Sequence, residues 1–321
     1  MHLETVPPES VGFSASRLHK AADYAQRVSD EIGGTGGAVL VMRHGKIAGE
    51  WYWGVRGPAN PHPFDAETLT PLYSVTKGFT AIALALLIED GVVWLDDPAY
   101  LYLPEMKEGD LAKVTLRHLA THSSGFPAGD QDFYGCWKDQ RPGESLPETY
   151  YRHALMRVAR GLVYPPGANH IYSDPAVAVL GEALFRACGR RVPELVRARI
   201  FEPLGLERIG WSFEDPALLA DIAEVVEMGW LDHITDIHSW MQAQFVAGGL
   251  ISNARDLAAC GQMLLNEGIL HGIRVMSPLS VRMMTTCQFP QQARHLYQHR
   301  GLFWWIKAAP DSPEMGHLVP Y

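Results

Sequence analysis

Residues 73–81 read Tyr-Ser-Val-Thr-Lys-Gly-Phe-Thr-Ala, and a stretch rich in alanine and leucine continues to Glu89. Alanine and leucine favour helices and Gly91 is a stop signal, so the sequence predicts a helix from Thr76 to Glu89. Apolar residues occupy nearly every face of this helix, and a helix that is apolar all round is buried. The sequence therefore predicts a buried helix with Ser74 at its amino-terminal end.

Ser74 and Lys77 are the first candidates for catalysis. A serine hydroxyl is a poor nucleophile at neutral pH and needs a nearby base. Lys77 follows Ser74 by three residues, so both side chains project from the same face within mutual reach. The positive end of the helix would also favour an oxyanion. Taken alone, this spacing fits a capping serine with a solvent-directed lysine equally well.

A second candidate segment is Tyr172-Ser173-Asp174, which follows Pro165-Pro166-Gly167 and precedes a helical stretch. A tyrosine in a loop before a helix can present its phenol into a cleft and relay a proton beside an ammonium group. An isolated tyrosine is more often a half-buried core residue. Tyr172 is therefore a hypothesis that depends on its neighbours.

Residues 73–81 resemble the nucleophile segment of class C β-lactamases, related DD-peptidases and esterases of the β-lactamase fold. Several further segments resemble that family in the same order along almost the whole chain, namely 91–98, 102–105, 116–125, 203–206, 247–257 and 276–278. The resemblance implies that Ser74 is acylated and that Lys77 is the base or its partner. It also implies that Tyr172 takes part in proton transfer, and that the backbone N–H of Ser74 is an oxyanion donor.

The chain departs from the family's pattern at two places. Asp174 stands where the family usually has asparagine, so a carboxylate replaces an amide donor and could hold Lys77 charged, which would shift the base role to Tyr172. The third motif, His or Lys followed by Thr/Ser-Gly, is missing. Gly316-His317 resembles its beginning, but Leu318-Val319 follow. We expect a truncated carboxyl terminus, with His317 either supporting the site or, by preference, lying in a loop.

The order of the predicted elements indicates an α/β (α+β) fold. The sequence predicts strands at 36–42 and 47–55 around a turn, a strand at 302–307, and several helices, namely from about Ser14 to Ala25, 148–160, 176–187 and 254–265. We expect one β-lactamase/transpeptidase-like domain over residues 1–321, with an antiparallel sheet from both terminal segments and an inserted helical lobe. The α/β lobe would comprise about 1–75 and 240–321, and the helical lobe about 76–239.

Composition and motifs exclude several classes of protein. The chain has 27 basic and 36 acidic residues, a formal charge of −9 and no run of five like charges, which argues against nucleic-acid and anionic-membrane partners. Its four cysteines lie far apart and are expected to be free thiols. There is no phosphate loop, Gly-x-Gly-x-x-Gly or Gly-x-Ser-x-Gly motif. His118 and His122 lack a third ligand, so neither a metal nor a cofactor is expected.

The sequence thus predicts a serine hydrolase that forms an acyl-enzyme with a small-molecule ester or amide, most simply an esterase. A β-lactamase or DD-peptidase is the alternative within the fold, and a non-catalytic binding or scaffold protein is the alternative of another class. The amino terminus lacks the basic start and apolar run of a secretory signal, so we expect a cytoplasmic bacterial protein. The oligomeric state stays open.

Overall fold

The computed structural model describes residues 3–159, 161–224, 237–289 and 300–306. The described helices are α1 (Ala15–Glu31), α2 (Thr76–Glu89), α3 (Leu116–Ala120), α4 (Gln131–Tyr134), α5 (Leu146–Arg157), α6 (Asp174–Cys188), α7 (Val192–Val196), α8 (Pro216–Ala220), α9 (Ile237–Ala243), α10 (Ala254–Leu265) and α11 (Pro278–Thr285). The described strands are β1 (Gly36–Arg43), β2 (Lys46–Gly54), β3 (Thr70–Pro71), β4 (Ile209–Gly210), β5 (Ile251–Ser252), β6 (Ile269–Leu270) and β7 (Ile273–Arg274).

The chain divides into two compact units. The first unit comprises residues 1–72, 197–242 and 249–275, and the second comprises 73–196, 243–248 and 276–321. The lobe boundaries that the sequence predicts, near residues 75 and 240, stay a prediction.

The first unit is built on an antiparallel hairpin of β1 and β2. The two residues of its turn, His44 and Gly45, both have positive φ angles, as the tight turn of a twisted hairpin requires. Helices α1 and α10 pack against this hairpin, and Arg255 of α10 forms an ion pair with Glu50 of β2. A second antiparallel sheet has the order β3-β5-β4.

The second unit is built around α2. Every residue from Thr76 to Leu87 is buried, so the prediction of a buried helix with these bounds is confirmed. Helices α6, α7 and α11 pack against α2. At the end of α2 the Glu89 carboxylate accepts hydrogen bonds from Ser277 N–H (3.0 Å) and Ser280 Oγ (2.7 Å), which places a negative charge at the amino terminus of α11.

The α/β fold class is confirmed, and so are the hairpin and the predicted helices, with shifts of a few residues at some ends. The strand predicted at 302–307 is wrong for residues 302–306, and residue 307 lies outside the described residues. Phe303 takes a left-handed φ of 60°, and the Gly301 N–H donates to Trp304 O at 2.9 Å. This tight turn leaves only an isolated bridge between Arg300 and Trp305.

Two further properties concern the described residues as a group. None of their helices combines the length and the apolarity needed to cross a bilayer. The four cysteines, Cys136, Cys188, Cys260 and Cys287, are all free thiols. Burial raises the pKa of the Cys136 thiol to about 12, so that thiol stays protonated and unreactive near neutral pH.

Candidate active site

Ser74 lies at the surface of the second unit, in the single turn Tyr73–Val75 that leads into α2. Tyr73 has a left-handed φ of 46°, which is an uncommon backbone conformation for a residue other than glycine. Three residues further on, Lys77 is buried, with 3% of its side chain exposed. An accessible hydroxyl therefore lies beside an amine that is shielded from water.

The amine of Lys77 has three polar neighbours. It donates to Ser74 Oγ at 2.9 Å and to the carbonyl oxygen of Ala247 at 2.7 Å. Its third neighbour is Asp174 Oδ1 at 2.8 Å, in an ion pair. Two of these contacts are hydrogen bonds and the third is an ion pair. The carboxylate of Asp174 balances the buried positive charge.

Asp174 is held by its own helix and by a tyrosine. It is the first residue of α6, where a carboxylate is stabilised by the positive helix end. The hydroxyl of Tyr134, at the end of α4, donates to Asp174 Oδ2 at 2.8 Å. Burial and the Asp174 charge raise the pKa of Tyr134, so its phenol remains a donor. Both oxygens of Asp174 are therefore engaged.

Tyr172 lies next to the amine of Lys77. Its side chain is partly exposed, and Lys77 Nζ lies 4.7 Å from the centre of its ring, within the range of a cation–π interaction. The phenol hydroxyl forms no hydrogen bond with the described residues, so it is available to a substrate or to a proton. The ring also contacts the imidazole of His122, 4.6 Å between centres.

His122 is buried and neutral. Its pKa lies well below the ordinary value because of burial and then of electrostatic repulsion from Lys77, from His170 when it is protonated, and from Arg300, which outweigh the hydrogen bond with Ser173 N–H. That N–H donates to His122 Nδ1 at 3.1 Å, so the imidazole proton is on Nε2. Burial also lowers the pKa of His170 to about 4 and that of Arg300 to about 10.

The segment 243–248 is attached to α2 and α6. Val246 O accepts from Thr80 Oγ1 of α2 at 2.7 Å, and the next carbonyl, that of Ala247, accepts from Lys77. On the α6 side, a Cβ atom at Gly181 would lie 2.8 Å from Val246 Cγ2. The close approach that glycine permits therefore fixes the carbonyl that accepts from the Lys77 amine.

The structure brings together four of the residues that the sequence singles out, namely Ser74, Lys77, Tyr172 and Asp174. His317 lies outside the described residues. His118 does not join them, because its Nδ1 accepts from Thr115 N–H in the capping box of α3. The described residues contain no group of three or more histidine, cysteine, aspartate or glutamate side chains that could hold a metal ion.

The sequence did not indicate that Tyr134 contacts Asp174 or that His122 contacts Tyr172. Tyr134 precedes Asp174 by 40 residues, and no local pattern signals that contact. His122 carried one usable signal, because a histidine just before Ser-Ser-Gly at a helix end is well placed to take a left-handed conformation. Its φ is 58°.

The chain is similar to several known proteins. A putative D-alanyl-D-alanine carboxypeptidase of Salmonella agona is 26% identical over 352 residues, covering 99% of this chain and 79% of that protein. An uncharacterised protein of Alkalihalophilus pseudofirmus is 22% identical over 303 residues, covering 92% of this chain and 78% of that protein.

Solved structures show the same fold. An octameric penicillin-binding protein homologue from Pyrococcus abyssi is 24% identical with a TM-score of 0.68, and the match covers 84% of this chain but only 60% of that chain. A family VIII carboxylesterase is 20% identical with a TM-score of 0.67, over 88% of this chain and 76% of that chain. The sequence model of the Beta-lactamase family matches residues 21–319. The chain therefore belongs to the β-lactamase family.

Proposed function

We propose that this chain is a serine hydrolase that forms an acyl-enzyme through Ser74 with a small ester or amide, and that it is an esterase. The observation that carries the proposal is the 2.9 Å contact between the exposed Ser74 hydroxyl and the buried Lys77 amine. In such a pair the hydroxyl is accessible to a substrate, and the buried lysine, once in its neutral form, can take the hydroxyl proton without competition from bulk water.

In the proposed reaction Ser74 Oγ attacks the substrate carbonyl carbon as its proton leaves. Either Lys77, as a neutral amine, or Tyr172, as a phenolate, accepts that proton and returns it to the leaving alcohol or amine. The Ser74 backbone N–H and the positive end of α2 stabilise the oxyanion. Water then attacks the acyl-enzyme, releases the carboxylic acid and restores the Ser74 hydroxyl.

Asp174 favours an ester over a peptide-like substrate. The family's asparagine carries an amide N–H₂, which can donate to a substrate carbonyl. The Asp174 carboxylate has no proton to donate; its Oδ1 forms an ion pair with Lys77 and its Oδ2 accepts from Tyr134. A substrate with an acylamino side chain would find no donor at this position, whereas a simple ester needs none.

The test is intact-mass analysis of the full chain with a fluorophosphonate, combined with turnover of p-nitrophenyl esters. We expect a single adduct on Ser74, and Ser74→Ala should lose both adduct and turnover. Ser16→Ala, on an exposed serine of α1, is the matched control and should keep both. If the unchanged chain shows neither adduct nor turnover, the proposal fails and the non-catalytic alternative stands.

A β-lactamase or DD-peptidase is the second candidate, because the Salmonella agona relative is named a putative D-alanyl-D-alanine carboxypeptidase. A fluorescent penicillin distinguishes the two. Fast covalent labelling of Ser74 by the penicillin, together with slow ester turnover, would favour the second candidate over the esterase.

A further inference from the structure

His122 contacts three consecutive residues of the Tyr172 segment. Its carbonyl oxygen accepts from Ile171 N–H at 3.0 Å, and its ring Nδ1 accepts from Ser173 N–H at 3.1 Å. Between these two hydrogen bonds its ring lies against that of Tyr172, with an angle of 35° between the planes. His122 thus contacts Tyr172 and both of its neighbours in sequence, through its ring and its backbone carbonyl.

His122 lies in the loop after α3, and several hydrogen bonds connect this loop with the loop before α6. Ser123 O accepts from Gly167 N–H and Gly125 O accepts from Val163 N–H, both at 2.8 Å. These bonds attach the segment after α3 to the segment before α6. The two hydrogen bonds of His122, with Ile171 N–H and Ser173 N–H, are the ones in this series that lie nearest to Tyr172.

The effect of His122 continues into Asp174 through Ser173. Ser173 is the N-cap of α6: its Oγ accepts from Ala176 N–H at 3.1 Å and donates to Pro127 O at 2.7 Å. With its backbone N–H bound to His122, Ser173 is fixed at three points. Asp174 follows directly, so its position relative to the Lys77 amine depends on the same contact.

The contact requires an unprotonated Nδ1. A protonated imidazole has two N–H donors and no acceptor, so it could not receive the Ser173 N–H. The groups that face the ring keep it unprotonated: the positive charges of Lys77 and Arg300 oppose a further charge, and Phe303 and Tyr172 exclude water.

We propose that His122 is a positioning residue that places Tyr172 and Asp174 against Lys77, with its Nδ1 as the necessary acceptor. This inference rests on the proposed hydrolase function, in which Tyr172 and Asp174 act on the Ser74–Lys77 pair. It assigns to the His-Ser-Ser-Gly turn a role in the rate of acylation as well as in folding.

The test compares His122→Asn with His122→Leu. Asparagine tolerates a left-handed backbone, and its side-chain oxygen can replace Nδ1 as an acceptor. Leucine fills space but cannot accept. We expect His122→Leu to lower kcat for a p-nitrophenyl ester by about 10- to 100-fold, the usual effect of losing a residue that orients a catalytic group, with KM nearly unchanged. His122→Asn should recover most of that loss.

His118→Leu is the matched control for folding. Like His122, His118 accepts a backbone N–H through its Nδ1, in this case the N–H of Thr115 at the N-cap of α3, at 3.2 Å. It does not contact Tyr172. We expect this variant to lower Tm and to leave kcat unchanged. The melting temperatures of all variants are measured alongside their kinetics.

A double-mutant cycle with Tyr172→Phe adds a second measurement, and if His122→Leu is poorly folded, His122→Ala, which also lacks an acceptor, replaces it in the cycle. If His122 acts through Tyr172, its substitution should have a smaller effect in the Tyr172→Phe background. Full kcat in folded His122→Leu, failure of His122→Asn to recover activity, or strictly additive effects would each overturn the inference while leaving Ser74 catalysis intact. If the unchanged chain has no Ser74-dependent turnover, the proposed function and this inference fail together.

Discussion

At the scale of single residues, the ion pair between Lys77 and Asp174 combines a short distance with burial. The two side chains are 3% and 10% exposed and 2.8 Å apart. The chain contains a natural comparison in Lys113 and Asp110, which are also 2.8 Å apart but 69% and 59% exposed. The same chemical pair thus occurs in two solvent environments.

We predict that Asp174→Asn lowers the free energy of unfolding by about 3 kcal/mol, because removal of one partner leaves a buried charge unbalanced. Asp110→Asn should cost less than about 0.5 kcal/mol, since water screens exposed pairs. Urea denaturation at pH 7 measures both. Equal losses in the two variants would show that burial of the Lys77 pair has no energetic consequence.

The local part of the site could be predicted from the sequence, and the distant part could not. Ser74 and Lys77 belong to one helical turn, so their spacing alone brings them together. The contact of Tyr134 with Asp174 depends on how α4 and α6 pack, and no periodicity encodes that packing. Asp174 was visible as a departure from the family with Lys77 as its expected partner, but its second partner, Tyr134, was not.

At the scale of elements, α6 illustrates how closely one helix approaches the segment that carries Ala247. The helix is able to do so because Gly181 faces Val246, where a Cβ atom would meet Cγ2 at 2.8 Å. By contrast, Gly261 of α10 has no neighbour within 4 Å of the corresponding position. Both glycines lie inside helices.

We predict that Gly181→Ala destabilises the chain by about 1–2 kcal/mol through overpacking, and lowers ester turnover by displacing the carbonyl that accepts from Lys77. Gly261→Ala should instead stabilise by about 0.5–1 kcal/mol, because alanine favours helix and nothing obstructs it. Thermal unfolding and kcat check both variants. Stabilisation by Gly181→Ala with full activity would contradict the prediction.

Errors in the predicted elements have physical causes. Helix α5 was expected from residue 148 but begins at Leu146, because Ser145 and Glu148 form a capping box that starts the helix earlier. Helix α6 likewise begins two residues early at its Ser173 cap. The segment 302–307 was predicted as a strand because its residues are largely apolar and aromatic, but that composition does not exclude a turn. Gly301 cannot carry a Cβ, which would lie 1.9 Å from Met284 O, and this close approach accompanies the turn.

At the scale of the whole molecule, one buried and two half-buried histidines contribute to the response to acid. Burial lowers the pKa of His118 and of His122, and lowers that of His170 to about 4. Each of them takes up its proton at a lower pH in the folded chain than in the unfolded chain, where protonation begins near pH 6.5. The unfolded state then binds more protons, so stability falls as the pH falls.

We predict that Tm decreases steadily from about pH 6.5 downward, well before carboxylates titrate. A second loss of stability should follow below about pH 4.5, where carboxylates become protonated in the unfolded chain before they do in the folded chain. Glu144 is an example, because its hydrogen bond with Arg152 lowers its pKa to about 2. Calorimetry from pH 8 to pH 2 measures both losses. His122→Asn should flatten the first decrease, and a constant Tm between pH 7.5 and 5.5 would contradict the prediction.

The left-handed Tyr73 has a consequence for adaptation to heat. A residue with a Cβ atom in this conformation costs roughly 1 kcal/mol that glycine would not, and Tyr73 directly precedes the nucleophile. Strain of this kind persists where function maintains it. Laboratory evolution toward thermal tolerance alone would therefore find glycine at position 73 an accessible step, and retention of tyrosine under a joint selection for ester hydrolysis would measure how much that strain contributes to presenting Ser74.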